Sequence, residues 1–190
     1  MSRRRGVQVV ILCEDKAHER FFRKLVQRLG HRLIRVEVAP SGEGDASQWV
    51  LAHVAGEVRA HRSYANHLSS GLVVVVDGDD KGVARRKQSV DDTLHAAGLD
   101  RRGRGETILI AVPTWSIETW LLWLCGVRDL NEEESLKDRG KQEEGKGVVS
   151  VSAAVEAWMA PPDPNEPTVV PSLSDGRLEM DRLKHLDTTK

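Results

Sequence analysis

The chain has 190 residues, with 28 Lys and Arg against 29 Asp and Glu and a formal net charge of −1 at pH 7. That length suits one domain, or one domain with a small appendage, and a composition 39% hydrophobic and 30% charged argues against wholesale disorder. A near-neutral chain cannot hold nucleic acid by bulk positive charge, so any contact with a polyanion has to be local.

Residues 7–13 form an unbroken apolar run, which suits a strand covered on both faces. Arg3-Arg4-Arg5 ahead of it gives the outline of a signal-peptide start, but Glu14 and Asp15 end the apolar stretch too early. No stretch anywhere approaches the ~18 apolar residues that cross a bilayer. Cys13 and Cys125, the two cysteines, lie in apolar runs and at no metal-ligand spacing, the habit of reduced thiols. The expectation is a cytoplasmic protein with no membrane segment.

Residues 18–30 repeat Phe21, Phe22, Leu25, Val26 and Leu29 at helical spacing, with Gly30 as a stop. Residues 33–39 read as a second strand. Residues 47–62 carry Trp49, Val50, Val54 and Val58 on one stripe, with Asp45 or Ser47 as cap. The third strand, residues 72–76, is the clearest and ends at Asp77. Gly78-Asp79-Asp80-Lys81-Gly82 then leads into a helix over 83–97 that stops at Gly98. A basic turn, residues 101–104, feeds a fourth strand at 107–112, which Pro113 breaks before an apolar helix at 116–125. Repeated β-α order with connections long enough for crossovers predicts an α/β fold: a mainly parallel four-stranded sheet flanked by helices. Beyond residue 125 the chain reads as a C-terminal extension packing on the same domain. It would comprise a polar, mobile loop (131–147), a helix (148–159) and a connector holding five of the seven prolines (160–171). A final amphipathic helix over 175–186 would use Leu178, Leu183 and Leu186.

In an open α/β sheet, ligands bind beyond the carboxyl ends of the strands. Glu14 ends the first strand, with Asp15 next and Glu19 a turn later. Asp77, Asp79 and Asp80 end the third, and Glu118 opens the helix after the fourth. Gathered on one edge, such carboxylates repel unless a cation joins them, and hard oxygen donors suit Mg²⁺ or Mn²⁺. Asp-Gly-Asp also suits a plain turn, Glu14 a helix start, and Glu19 a solvated helix face. Asp77 and Glu14, though, each follow an apolar run and would be costly to bury alone. His18 is expected to cap the helix or to face solvent, and the tryptophans to lie in the core.

A strand ending in Glu14 followed by one ending in Asp77-Gly78-Asp79 resembles the Toprim domain, the metal-binding module of topoisomerases, primases and the overcoming-lysogenization-defect nucleases. Cys13-Glu14-Asp15-Lys16-Ala17-His18-Glu19 looks like the opening of small stand-alone Toprim proteins of that last group. Pro113-Thr114-Trp115-Ser116-Ile117-Glu118-Thr119-Trp120-Leu121 is similar to their later segment. Asp15 stands where glycine is usual and His18 where threonine is common. The resemblance covers residues 7–125 and implies a Toprim-type fold over 1–125 and a Mg²⁺- or Mn²⁺-dependent nuclease of phage defence. Its implied partners are a nucleic-acid substrate and an ABC-type ATPase, with homo-oligomerisation open. By the same resemblance Asp77 and Asp79 hold the ion with Asp80 as helper, Glu14 binds metal or moves a proton, and Glu19 and Glu118 serve a second metal. Lys81 would stabilise transition-state charge, with Lys184 a weaker candidate. Lys81, Arg85, Arg86 and Lys87, together with Arg101, Arg102 and Arg104, would form a phosphate-binding rim, or simply solvated basic faces. Two other readings stay open: a Mg²⁺-dependent nucleotidyl or glycosyl transferase using Asp77-Gly78-Asp79, and a non-catalytic regulatory subunit docking an ATPase.

Overall fold

Four strands build the molecule's centre: β1 (Gln8–Cys13), β2 (Arg32–Val38), β3 (Ser70–Val75) and β4 (Ile108–Ala111). All pair in parallel, in the order β2-β1-β3-β4. The helices are α1 (Lys16–Arg28), α2 (Ala46–Tyr64), α3 (Gly82–Ala96), α4 (Ile117–Leu124), α5 (Lys137–Gly145), α6 (Val151–Met159) and α7 (Pro171–Met180). The computed structural model describes residues 6–42, 44–65, 69–161 and 170–183.

The apolar runs are continuous because helices cover both sides of the sheet. Val9, Ile11, Val73, Val75 and Leu109 face α1, α4 and α6, where Phe21, Phe22, Trp120 and Trp158 pack. Leu12, Leu72, Val74, Ile108 and Ile110 face Val50 and Val54 of α2 and Val90 and Leu94 of α3. Burying each such side chain fully contributes about 1.5–3 kcal/mol. The Trp120 indole, fully buried, donates to Ser172 Oγ at 2.7 Å, so the largest core side chain leaves no donor unmet. Asp45 caps α2 by accepting from the amides of Ser47 and Gln48, and Gly30, at φ 82, turns the chain out of α1.

The chain beyond residue 125 departs from expectation at two places. Residues 131–147 are not a bare loop but hold the nine-residue helix α5. Lys, Arg, Gln and Glu are good helix formers, and tertiary contacts fasten what the polar sequence hides. Leu136 is buried, Arg20 pairs with Glu144 at 2.8 Å, and Gly140 lies so close to α4 that an added Cβ would sit 2.5 Å from Glu118 Cβ and Cγ. The last helix, α7, starts at Pro171, earlier than expected, and its inward residues are Leu173 and Met180, while Leu178 is 72% exposed. α7 lies along β4. There Glu179 accepts from the Ile110 amide at 3.2 Å and binds Arg102 and Lys87. Trp158, Leu173 and Met180 join the core of β1 and β3, so the extension shares the hydrophobic core of the sheet. Among the described residues no helix is long and apolar enough to cross a membrane. Arg3-Arg4-Arg5, most of the Pro-rich connector, Lys184 and Leu186 lie outside the described residues.

Candidate functional site

From β1 the chain crosses to β2 on one side, and from β3 to β4 on the other, so the order reverses between β1 and β3. That reversal opens a crevice beyond the carboxyl ends of the two strands, the position where α/β sheets bind ligands. Cys13 is level with Val75, which brings Glu14 and Asp77 together at the crevice. Glu14 Oε1 accepts from the Asp77 amide at 2.8 Å, and both side chains are almost fully buried. The next residues are fixed by the neighbouring loop: the Gly78 amide donates to Pro113 O at 2.8 Å. Among the described residues only two non-glycines have positive φ, Asp79 (45°) and Trp115 (60°), and they lie in these two adjoining loops. Backbone strain of this kind gathers at functional edges.

Two buried basic side chains organise the acids, and neither was expected in that role. His18 is fully buried, not capping or facing solvent. Its Nε2 lies 2.8 Å from Asp77 Oδ1 and its Nδ1 2.9 Å from Asp15 Oδ1. Burial alone would lower the imidazole, but the Asp77 charge and hydrogen bond, with the nearby Asp15 carboxylate, outweigh it and hold His18 well above its ordinary value. Asp15 caps α1 through the amides of Ala17 and His18. Burial works against its charge, yet the His18 contact, with Lys137 of α5 adding to the pull, holds it well below the usual carboxylate range. Arg86, 1% exposed, is the second. It donates from Nε to Asp77 O (2.7 Å) and from its terminal nitrogens to Ser47 Oγ (3.0 Å) and Asp79 Oδ2 (2.7 Å). It therefore ties α3, α2 and the end of β3 together and is no part of an exposed phosphate rim.

Burial first, and the Asp77 charge second, push Glu14 up to about 7. Burial also pushes Asp77 up, with the His18 charge pulling it back. Carboxyl oxygens are the donor type that suits a hard divalent cation, and Glu14, Asp77 and Asp79 are the residues that could hold one here. In this arrangement each is turned to a protein partner, and among the described residues no three His, Cys, Asp or Glu side chains already converge as ligands.

The other expected residues divide. Asp80 is exposed beside Asp79, and Lys81 and Arg85 are exposed at the start of α3. Glu19 is turned away, paired along its own helix with Lys16 (2.8 Å) and Arg23 (2.6 Å). Glu118 reaches the same side of the sheet, but Gly140 of α5 roofs it. Its Oε2 is buried without a partner, and no hydrogen bond or ion pair joins it to Glu14 or Asp77. Lys87 is held by Asp175 and Glu179, and Arg102 by Glu179, so neither is free for phosphate. Arg101, Arg102 and Arg104 precede β4 and so lie at the amino end of the parallel sheet, opposite the acids. The rim expected from seven basic residues reduces, at the crevice, to Lys81 and Arg85. The exposed Lys137 is an addition that the sequence reading missed.

No family model, curated protein or solved structure matches the chain.

Proposed function

We propose that this chain is a Toprim-type phosphodiesterase, cutting DNA or RNA with Mg²⁺ or Mn²⁺ and working beside an ABC-type ATPase in phage defence. The observation that carries the reading is the contact of Glu14 with Asp77, two buried acids, at the point where strand order reverses. A bound divalent ion would activate water near neutral pH and offset charge on the leaving oxygen. Asp77 and Asp79 would hold it, and Glu14, titrating near 7, would hold it or take the proton of the attacking water. His18 would orient Asp77 and Arg86 would orient Asp79, as outer-shell partners do. Lys81, Arg85 and Lys137 are the exposed cations at hand for a phosphate backbone.

The internal pairing of Asp77 and Asp79 favours one rival, a regulatory subunit that docks an ATPase without catalysis. Incubation of plasmid DNA and single-stranded RNA with Mg²⁺, Mn²⁺ or chelator, alongside calorimetry of metal binding, separates the two. The proposal expects metal-dependent cleavage that falls at least a hundredfold, as an order-of-magnitude estimate, in Asp77→Asn. Absent metal binding, or cleavage unchanged by Asp77→Asn, refutes it. ATPase binding that survives chelation, with function kept in Asp79→Ala, would establish the rival.

A further inference from the structure

The two edges of the sheet are finished differently. β4 is closed by α7, whose Glu179 takes up the Ile110 amide. β2 has no strand or helix on its outer edge among the described residues, and none of its seven residues is buried. α2 packs mainly over β3 and β1, and it meets β2 through Glu57, which pairs with Arg35 at 2.6 Å. A cleft of about 330 Å³ opens there, at the end of the sheet opposite Glu14 and Asp77 and floored by Val10 and Leu72. Ile34, 48% exposed, and Tyr64, 57% exposed, stand at its margin. A bulge in the pairing with β1 leaves Ile34 without an opposite residue. An open edge beside a cleft with exposed apolar residues can take another strand.

We infer that β2 is the interface through which two copies of this chain pair antiparallel, about a twofold axis at Val36. The order Arg35-Val36-Glu37 selects both occupant and register. With the axis at Val36, each Arg35 lies opposite Glu37 of the second copy, twice by symmetry, and the two Val36 residues meet on the axis. An axis at Arg35 or at Glu37 would instead set a like charge against itself, so neighbouring registers are penalised. The charges are already held in place within one copy, Arg35 by Glu37 (2.9 Å) and Glu57 (2.6 Å), so little side-chain freedom is left to lose. The result is one sheet of eight strands, with the cleft and its exposed Ile34 and Tyr64 beside the new seam.

The test is sedimentation equilibrium on the full chain, with circular dichroism as the check on folding. Wild type is expected to dimerise. Arg35→Glu makes the pair all-acidic and Glu37→Arg makes it all-basic, and each alone should weaken association about thirtyfold. Mixed in equal amounts, the two variants should form a one-to-one dimer, because each then meets the opposite charges. Ile34→Lys, which enters no charge network of its own copy, should also weaken association. A monomeric wild type, a dimer indifferent to Arg35→Glu or Ile34→Lys, or a mixture that stays monomeric overturns the inference.

Discussion

Replacing Glu14 by glutamine removes an ionisable carboxyl from the buried crevice. Glu14 is 8% exposed, and its carboxyl is held at about 7 against the ordinary 4.5. That gap corresponds to about 3 kcal/mol, at 1.36 kcal/mol for each tenfold change in proton affinity. The folded value is the higher, so folding takes up a proton in this window, and wild type loses the associated stability as pH rises from 4.5 through 7. Glutamine keeps an oxygen to accept from the Asp77 amide and carries no charge. Glu14→Gln should therefore match wild type below pH 4.5 and exceed it by about 3 kcal/mol above pH 7, or ~6–12 °C in Tm. Urea unfolding across that range reads the difference directly. A gap that does not change with pH, or a variant less stable throughout, would refute the reasoning. Calorimetry in buffers of different ionisation enthalpy adds a second check, since a cation drawn to Glu14 below pH 7 must expel its proton.

The charge clamp on β4 behaves in the opposite sense. Glu179 is held at about 2 by Arg102 and Lys87 despite its burial, so its stabilisation is complete above 4.5 and fades as pH falls toward 2. Glu179→Gln should remove that acid dependence, and Glu179→Ala should cost about 3–5 kcal/mol in chemical denaturation by leaving buried charges unpaired. Gly140→Ala would drive a methyl into Glu118, costing about 1–3 kcal/mol and exposing α5 to limited proteolysis before the rest of the fold. Cys13 is buried and its thiol pushed up to about 12, chiefly by burial, whereas Cys125 is partly exposed. A thiol reagent should therefore label one site on the native protein, at Cys125, and two after unfolding.

What could be read from the chain alone follows from where local pattern and tertiary contact agree. The strands were legible because a sheet covered on both faces makes its sequence apolar without alternation, as Val73 to Val76 show. The placement of Glu14 and Asp77 at the strand ends was legible because each directly follows such a run. His18 and Arg86 were misread as polar surface, although the signal was present. His18 precedes Phe22 and Leu25 by four and seven residues, and Arg86 precedes Val90 and Leu94 by four and eight, so both occupy apolar helix faces. The position of Arg101, Arg102 and Arg104 at the far end of the sheet also followed from strand direction. α5 and the inward turn of Glu179 were not legible, because both depend on partners distant in the chain: Gly140 on Glu118, and Glu179 on Lys87 and Arg102.

The closure of β4 by α7 also bears on how the protein is made. Ile110, Lys87 and Arg102 receive their partner from a residue roughly 70 to 90 positions later, and Leu183 packs where any side chain larger than Gly71 would collide. Until residues 171–183 have left the ribosome, the nascent sheet carries a bare amide and unpaired cations along one border, and contacts of such long sequence separation form late. Chaperone dependence and aggregation during synthesis should therefore concentrate in chains halted before Pro171.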